Sequence, residues 1–257
     1  MGFVVKKSGS VLVDHSINDF GDTRVEHNPT LATTLCETNP LPVHSVILRR
    51  GYKGDRVAGD NCPLIYGLKN KENLFVGYNA MKTLLPSVDG ILDKFVLERI
   101  ASDIKYDLVI PMPSSHNISS ILARRVQRHL THSALHTTAF RKSNSDDIER
   151  QLDQGLFSRG ARLNIMNAVN KANTNGKEFS LSDVKMDFRG LIVPLTQEQL
   201  LPEVNNILIV DDLFASGQTL VTAKNKILEQ LPNANVEALC LFSPLNGRIR
   251  KSKSKRR

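Results

Sequence analysis

Asp211 and Asp212 stand side by side at the end of the apolar run Ile207-Leu208-Ile209-Val210, and the small-residue loop Ala215-Ser216-Gly217-Gln218-Thr219 follows almost at once. An unbroken apolar, largely β-branched run suits a strand buried on both faces of a parallel sheet, and ligands of such sheets sit beyond the strands' carboxyl ends. The two carboxylates are therefore expected in a ligand crevice. Ser216, Gly217 and Thr219 precede an apolar-periodic helix over residues 220–231, so backbone N–H groups, side-chain hydroxyls and the positive helix end converge on one spot. That spot suits a phosphate, and Gly217 permits a positive φ and close approach of a ligand to the backbone. Carboxylates a phosphate's width away repel the phosphate itself. They suit the hydroxyls of an attached ribose, or a Mg²⁺ shared with a second phosphate group. Together these residues point to a ribose phosphate.

A second strand-loop-helix cradle lies upstream. Residues 106–111 read as a strand, Pro113-Ser114-Ser115-His116-Asn117 as a tight loop, and residues 118–130 as an amphipathic helix with Arg124, Arg125 and Arg128 on its polar side. Read alone, this is more readily a Pro-terminated strand with a Ser/Asn helix cap, and its order and distance ahead of Asp211 turn the reading to a phosphate cradle. A P-loop nucleotidase is excluded because no Gly-x4-Gly-Lys-Ser/Thr occurs, and an Asp-x-Asp phosphatase because Leu213 stands where its second acid is needed.

The stretch from Ile207 to Thr219 resembles the phosphoribosyl-pyrophosphate (PRPP) signature of type I phosphoribosyltransferases: apolar strand, two acids, then a loop closing on Ser/Thr-Gly-x-Thr. The resemblance implies that Asp211 and Asp212 hold the ribose hydroxyls and contact Mg²⁺, while Ala215, Ser216, Gly217, Gln218 and Thr219 wrap the 5′-phosphate. Ala215 departs from the family, which usually carries Thr there. Pro113, Ser114, Ser115, His116 and Asn117 resemble the pyrophosphate loop, closest to the ComF-like branch with its Val-Pro-x-Pro sequence. That branch commonly has a zinc ribbon and an Arg-Gly-Phe-Asn stretch; this chain has neither, carrying His116-Asn117-Ile118-Ser119 at the latter place. The resemblance spans about residues 64–244.

The charged segment Arg141-Lys142-Ser143-Asn144-Ser145-Asp146-Asp147 falls where the family places a mobile catalytic loop. Breaking the bond between C1 and pyrophosphate builds oxocarbenium-like charge on the ribose, which water would intercept, so such a loop is expected to close over the site. Arg141 or Lys142 would then neutralise the departing pyrophosphate, with Asp211 and Asp212 favouring the developing cation. On the residues alone, the segment also reads as a solvated surface loop. The implied activity is Mg²⁺-dependent transfer of ribose 5-phosphate from PRPP to a nitrogenous base or related nucleophile. The alternative is a non-catalytic module of the same fold that senses PRPP or nucleotides and contacts nucleic acid or a protein.

The positioning elements read as an α/β parallel sheet flanked by helices, like that of a type I phosphoribosyltransferase, with a small irregular N-terminal region. Short apolar pieces at Val11 to Val13 and Val46 to Leu48, mixed with Gly, Asn, Pro and Asp, predict strands and turns in that region. Further strands are expected over residues 135–140, 191–195 and 236–242, with helices over 91–104 and 148–172, the latter broken at Gly155 or Gly160. The division is residues 1–63 as an accessory region, 64–245 as the phosphoribosyltransferase-like domain and 246–257 as a basic tail. The chain has 257 residues, 40% of them hydrophobic, enough for one sizeable core. Its net charge is +8, and Lys251, Lys253, Lys255, Arg256 and Arg257 concentrate the excess in a tail attractive to polyanions such as nucleic acid. Tryptophan is absent and aromatics total 5%, which argues against readout of single strands by stacking. Cys36, Cys62 and Cys240 fit neither a disulfide framework nor a metal-ligand spacing, and no apolar run approaches bilayer-spanning length. A cytoplasmic protein is expected, with PRPP, an acceptor, a polyanion at the tail and a second copy in a homodimer as partners, and no membrane contact.

Overall fold

The computed structural model describes residues 2–33, 40–52, 54, 58–114, 116–131, 133–215 and 217–245. Ser115, Ser216, Cys36 and the basic tail lie outside the described residues. In chain order the elements are β1 (Gly2–Val5), β2 (Ser10–Asp14), β3 (Gly21–Asp22), β4 (Thr30–Thr33), β5 (Pro42–Arg49), α1 (Pro63–Leu68), β6 (Phe75–Val76), α2 (Tyr78–Ala101), β7 (Leu108–Pro111) and α3 (Ile118–Gln127). They continue with β8 (Ala134–Leu135), β9 (Phe140–Lys142), α4 (Ser145–Gln154), α5 (Arg159–Thr174), α6 (Met186–Arg189), β10 (Leu195–Gln197), β11 (Asn206–Leu213), α7 (Gln218–Gln230) and β12 (Asn235–Phe242).

The chain is an α/β protein. Strands β5, β12, β11, β7 and β8 lie parallel in that order, and β3 and β4 pair antiparallel along the outer side of β5. Ile207 to Val210 are completely buried, as an inner strand of a sheet covered on both faces must be. Leu208 and Val210 face one core with Leu92 and Phe95 of α2 and Leu122 and Val126 of α3. Ile207 and Ile209 face a second core with Leu220, Ala223 and Ile227 of α7. Successive side chains of a strand point to opposite faces, so one apolar run serves both layers.

The first 63 residues, expected as an accessory region, supply β5, an inner strand of the main sheet between β12 and the β3/β4 edge. Its apolar pattern is interrupted by His44 and Ser45, both buried. His44 lies 3.2 Å from Glu237 of β12, which also accepts a hydrogen bond from the Tyr106 hydroxyl and faces Arg99 at 3.5 Å. A polar cluster thus occupies the end of the sheet away from the carboxyl ends of the strands, with Arg99 Nε buried and without a hydrogen-bond partner. Phe95 packs over it, 5.0 Å from the His44 ring and 6.0 Å from that of Tyr106.

Two helix boundaries differ from expectation. Residues 78–101 form one helix through Pro86, because Ala80, Leu84, Val88, Ile91, Leu92, Phe95 and Val96 keep one buried stripe across the proline. The segment expected as a charged loop forms regular secondary structure instead. Phe140–Lys142 pairs antiparallel with Leu195–Gln197, and Asn144 and Asp147 close a reciprocal capping box on α4. The strand expected over 135–140 is two short strands joined by a turn, and that expected over 191–195 starts at Leu195. Between the paired strands β9 and β10, α4 and α5 build a third small core from Ile148, Leu152, Ile165 and Val169 with Phe179, Val184 and Ile192. Among the described residues, no helix is long and apolar enough to cross a membrane.

Candidate functional site

The chain leaves β7 through α3 toward β8, and leaves the adjacent β11 through α7 toward β12, so the connections depart in opposite directions. Between two such strands nothing crosses the carboxyl end of the sheet, and a crevice opens there. It is a cleft of about 230 Å³, lined by Lys69, Pro113, Ser114, Lys142, Asp211, Asp212 and Thr219, with residues 179–182 and Pro194 on the side of the inserted helices.

Both helices that begin at this crevice start in the same unusual way. The residue before α3, Asn117, has φ 54°, and the residue before α7, Gly217, has φ 79°. Neither helix is capped by the side chain of that residue, and neither has an acidic side chain in its first turn. The positive ends of two helices thus meet at one crevice with no acidic residue of their own in the first turn, which favours an anion at each. Gly217 carries the left-handed conformation at little steric cost, whereas Asn117 is one of the few other residue types that adopt it.

The aspartates lie between these helix starts. Asp211 Oδ1 accepts hydrogen bonds from Ser119 Oγ in the first turn of α3 at 3.1 Å and from the Asp212 backbone N–H at 2.8 Å. Asp212 is 7% exposed and its carboxylate is ion-paired with the Lys69 ammonium. Burial, and then the charge of Asp212, push the Asp211 carboxyl well above the usual carboxylate range. Two carboxylates thus share one ammonium and two local donors, so acceptor oxygens and net negative charge remain for a diol or a cation.

Of the residues singled out from the sequence, the structure brings Pro113, Ser114, Lys142, Asp211, Asp212 and Thr219 into the one cleft. Gly217 and Asn117 stand at the N-cap positions of its two helices, Gln218 begins α7, His116 adjoins the α3 cap, and Ala215 is exposed. Arg141 lines an adjoining recess with Lys142 and Asn144, and its guanidinium is already engaged: it bonds Asp147, one contact at 3.3 Å, and its Nε lies 3.1 Å from Glu198. Lys69 and Ser119 escaped the sequence reading. Ser119 stands only two residues past the cap, in the first turn whose N–H groups face the crevice, and that position was the available signal. Lys69 had none, since its partner lies far along the chain.

No protein-family model matches this sequence, and no curated protein matches it.

The carboxylate pair offers at most two acidic ligands, and among the described residues no group of three or more His, Cys, Asp or Glu side chains is placed to hold a metal. Such a pair fits a Mg²⁺ that brings phosphate oxygens and water as its other ligands, not one caged by protein.

The engagement of Arg141 has a measurable consequence. Hydrogen bonds from Arg141, helped by the Asn144 backbone N–H, hold the Asp147 carboxyl down at about 2. A carboxylate held below its unfolded value of about 4 contributes stability that is complete above that pH and lost as the pH falls toward the folded value. Asp147→Asn should therefore lower the melting temperature clearly at about pH 7 and much less at about pH 2; gaps of equal size at the two pH values would contradict the assignment.

Proposed function

We propose that this protein is a Mg²⁺-dependent phosphoribosyltransferase with a type I phosphoribosyltransferase-like fold, taking PRPP in the crevice between β7 and β11. The observation that carries this reading is the aspartate pair held between two helix starts with no acidic residue in their first turns, at the point where the sheet connections diverge. The start of α7 would take the 5′-phosphate, Asp211 and Asp212 the ribose hydroxyls, and the loop from Pro113 to Asn117 with the start of α3 the pyrophosphate.

Transfer forms a bond between C1 and a nucleophilic nitrogen and breaks the bond between C1 and pyrophosphate, whose oxygen keeps the electron pair; the nitrogen's proton passes to solvent or to pyrophosphate. The carboxylates of Asp211 and Asp212 orient the diol by accepting its hydrogen bonds and favour the positive charge that grows on the ring. Lys142 lines the cleft beside Pro113 and Ser114, and its ammonium would offset the charge that leaves. Asp211 and Asp212 are the residues that would contact Mg²⁺, which supplies further charge to offset the departing pyrophosphate. Residues 179–182 and Pro194 wall the cleft on the far side and limit the access of water to C1.

The test is a thermal-shift panel of PRPP, ribose 5-phosphate, pyrophosphate, nucleoside monophosphates and free bases, with and without Mg²⁺, followed by ³¹P detection of pyrophosphate release with each acceptor. PRPP with Mg²⁺ at about 100 times its dissociation constant should stabilise the fold by about 2.7 kcal/mol, a shift of several degrees. No shift with PRPP under any condition overturns the proposal. Binding with no pyrophosphate release from any acceptor would leave the non-catalytic sensing module as the better description.

A further inference from the structure

Lys69 reaches the crevice from an element that precedes the whole β7-to-β12 segment. Helix α1 is anchored by Pro63, Leu64 and Ile65, all buried, and Lys69 terminates it with its backbone N–H bonded to the carbonyls of Ile65 at 3.0 Å and Tyr66 at 3.2 Å. The side chain is 19% exposed and ends against the carboxylate of Asp212. An ammonium is therefore fixed beside the aspartate pair by packed backbone. Adjacent carboxylates with little access to water require a counter-cation, and a divalent ion or an ammonium can fill that need. The two differ in what they offer a sugar: a metal takes hydroxyl oxygens as ligands, whereas an ammonium donates to them while the carboxylates accept from their O–H groups. The Lys69 ammonium has three donors, and its ion pair with Asp212 leaves some of them for a ligand.

Building on the donor-binding reading above, we propose that Lys69 is the built-in counter-cation of Asp211 and Asp212, so that the ribose phosphate half of the donor binds without metal and Mg²⁺ reaches the aspartates only together with the pyrophosphate half. Lys69 acts through Asp212 and is in this sense a positioning residue.

The test uses the full chain, with Lys69→Gln and Lys69→Arg beside it, in calorimetric titrations with ribose 5-phosphate and with PRPP in EDTA or Mg²⁺, plus Mn²⁺ titration without ligand followed by electron paramagnetic resonance. The wild type should bind ribose 5-phosphate within about twofold in the two buffers, and PRPP about tenfold more weakly in EDTA. K69Q should lose about tenfold in ribose 5-phosphate affinity in EDTA and regain part of it in Mg²⁺. It should also bind Mn²⁺ more tightly than the wild type, while K69R keeps the wild-type pattern. A purely structural role for Lys69 would weaken both ligands equally in both buffers and leave Mn²⁺ affinity unmoved, and that result overturns the inference. PRPP binding with no effect of K69Q sinks the inference and spares the donor reading. Failure of both ligands to bind the wild type overturns the donor reading and the ligand half of the inference, and unaltered Mn²⁺ affinity in K69Q removes the counter-cation itself.

Discussion

Asp211→Asn with Asp212→Asn should reduce PRPP turnover by about three orders of magnitude or more, the loss expected when preorganised charge facing a developing cation is removed. The single variants should separate in stability, because the two side chains stand in opposite electrostatic situations. Asp211 is held above its usual range by burial and by the charge of Asp212. A carboxylate whose folded pKa is raised costs stability as the pH rises above its unfolded value of about 4, so neutral Asn at 211 relieves that cost at neutral pH. Asn also keeps an Oδ1 to accept from Ser119 and from the 212 backbone N–H. D211N should melt at or above the wild-type temperature. D212N strips the Lys69 ammonium of its carboxylate partner in a largely buried setting and should melt below it. Melting curves and ³¹P-detected turnover on the three variants check both statements; wild-type turnover in the double variant would sink the site assignment.

Phe95→Ala is expected to have the largest effect on folding. The ring is completely buried, packs between α2 and the sheet, and covers the His44 and Tyr106 rings. Truncating a buried Phe leaves a cavity and costs about 3–5 kcal/mol. For a chain of this size that is on the order of 10 °C in melting temperature. The hydrogen bonds of Glu237 to Tyr106 and His44 lie directly beneath the cavity, and water entering there adds to the loss. The crevice is at the other end of the strands, so ligand affinity of the folded fraction should stay at the wild-type level. Denaturant titration with a change below about 1 kcal/mol would show that the ring is not a keystone of this core.

The parts of the molecule that were legible in the sequence are those in which local pattern and tertiary role coincide. Ile207 to Val210 are apolar on both faces because both faces are covered, and Gly217 is glycine where the chain turns through a positive φ into α7. The break between α4 and α5 falls at Gly155, one of the two expected glycines, with the Ser158 side chain capping the next helix and Gly160 inside it. Illegible parts are those settled by distant partners. Strand β5 hid its inner position behind His44, a polar residue tolerated in the core because Glu237, far along the chain, meets it. The 141–147 segment reads as a solvent loop from its charges, yet Arg141 answers Asp147 and Glu198, and Ser143 Oγ donates to the Val193 carbonyl at 2.8 Å. Its Asn144-x-x-Asp147 spacing was the overlooked local sign of a helix start. Lys69 and Asp212 meet through folding alone, and neither neighbourhood announces the other.

The inserted helices enter and leave the protein through a single doorway. Lys142 stands opposite Leu195, and the Ser143 N–H donates to the Pro194 carbonyl at 3.0 Å, so the two ends of the insertion are adjacent in space. With its own core, the intervening stretch resembles a cassette clipped into a socket. Replacing that stretch would alter the wall of the cleft at residues 179–182 while the sheet, both helix starts and the aspartates beneath kept their places.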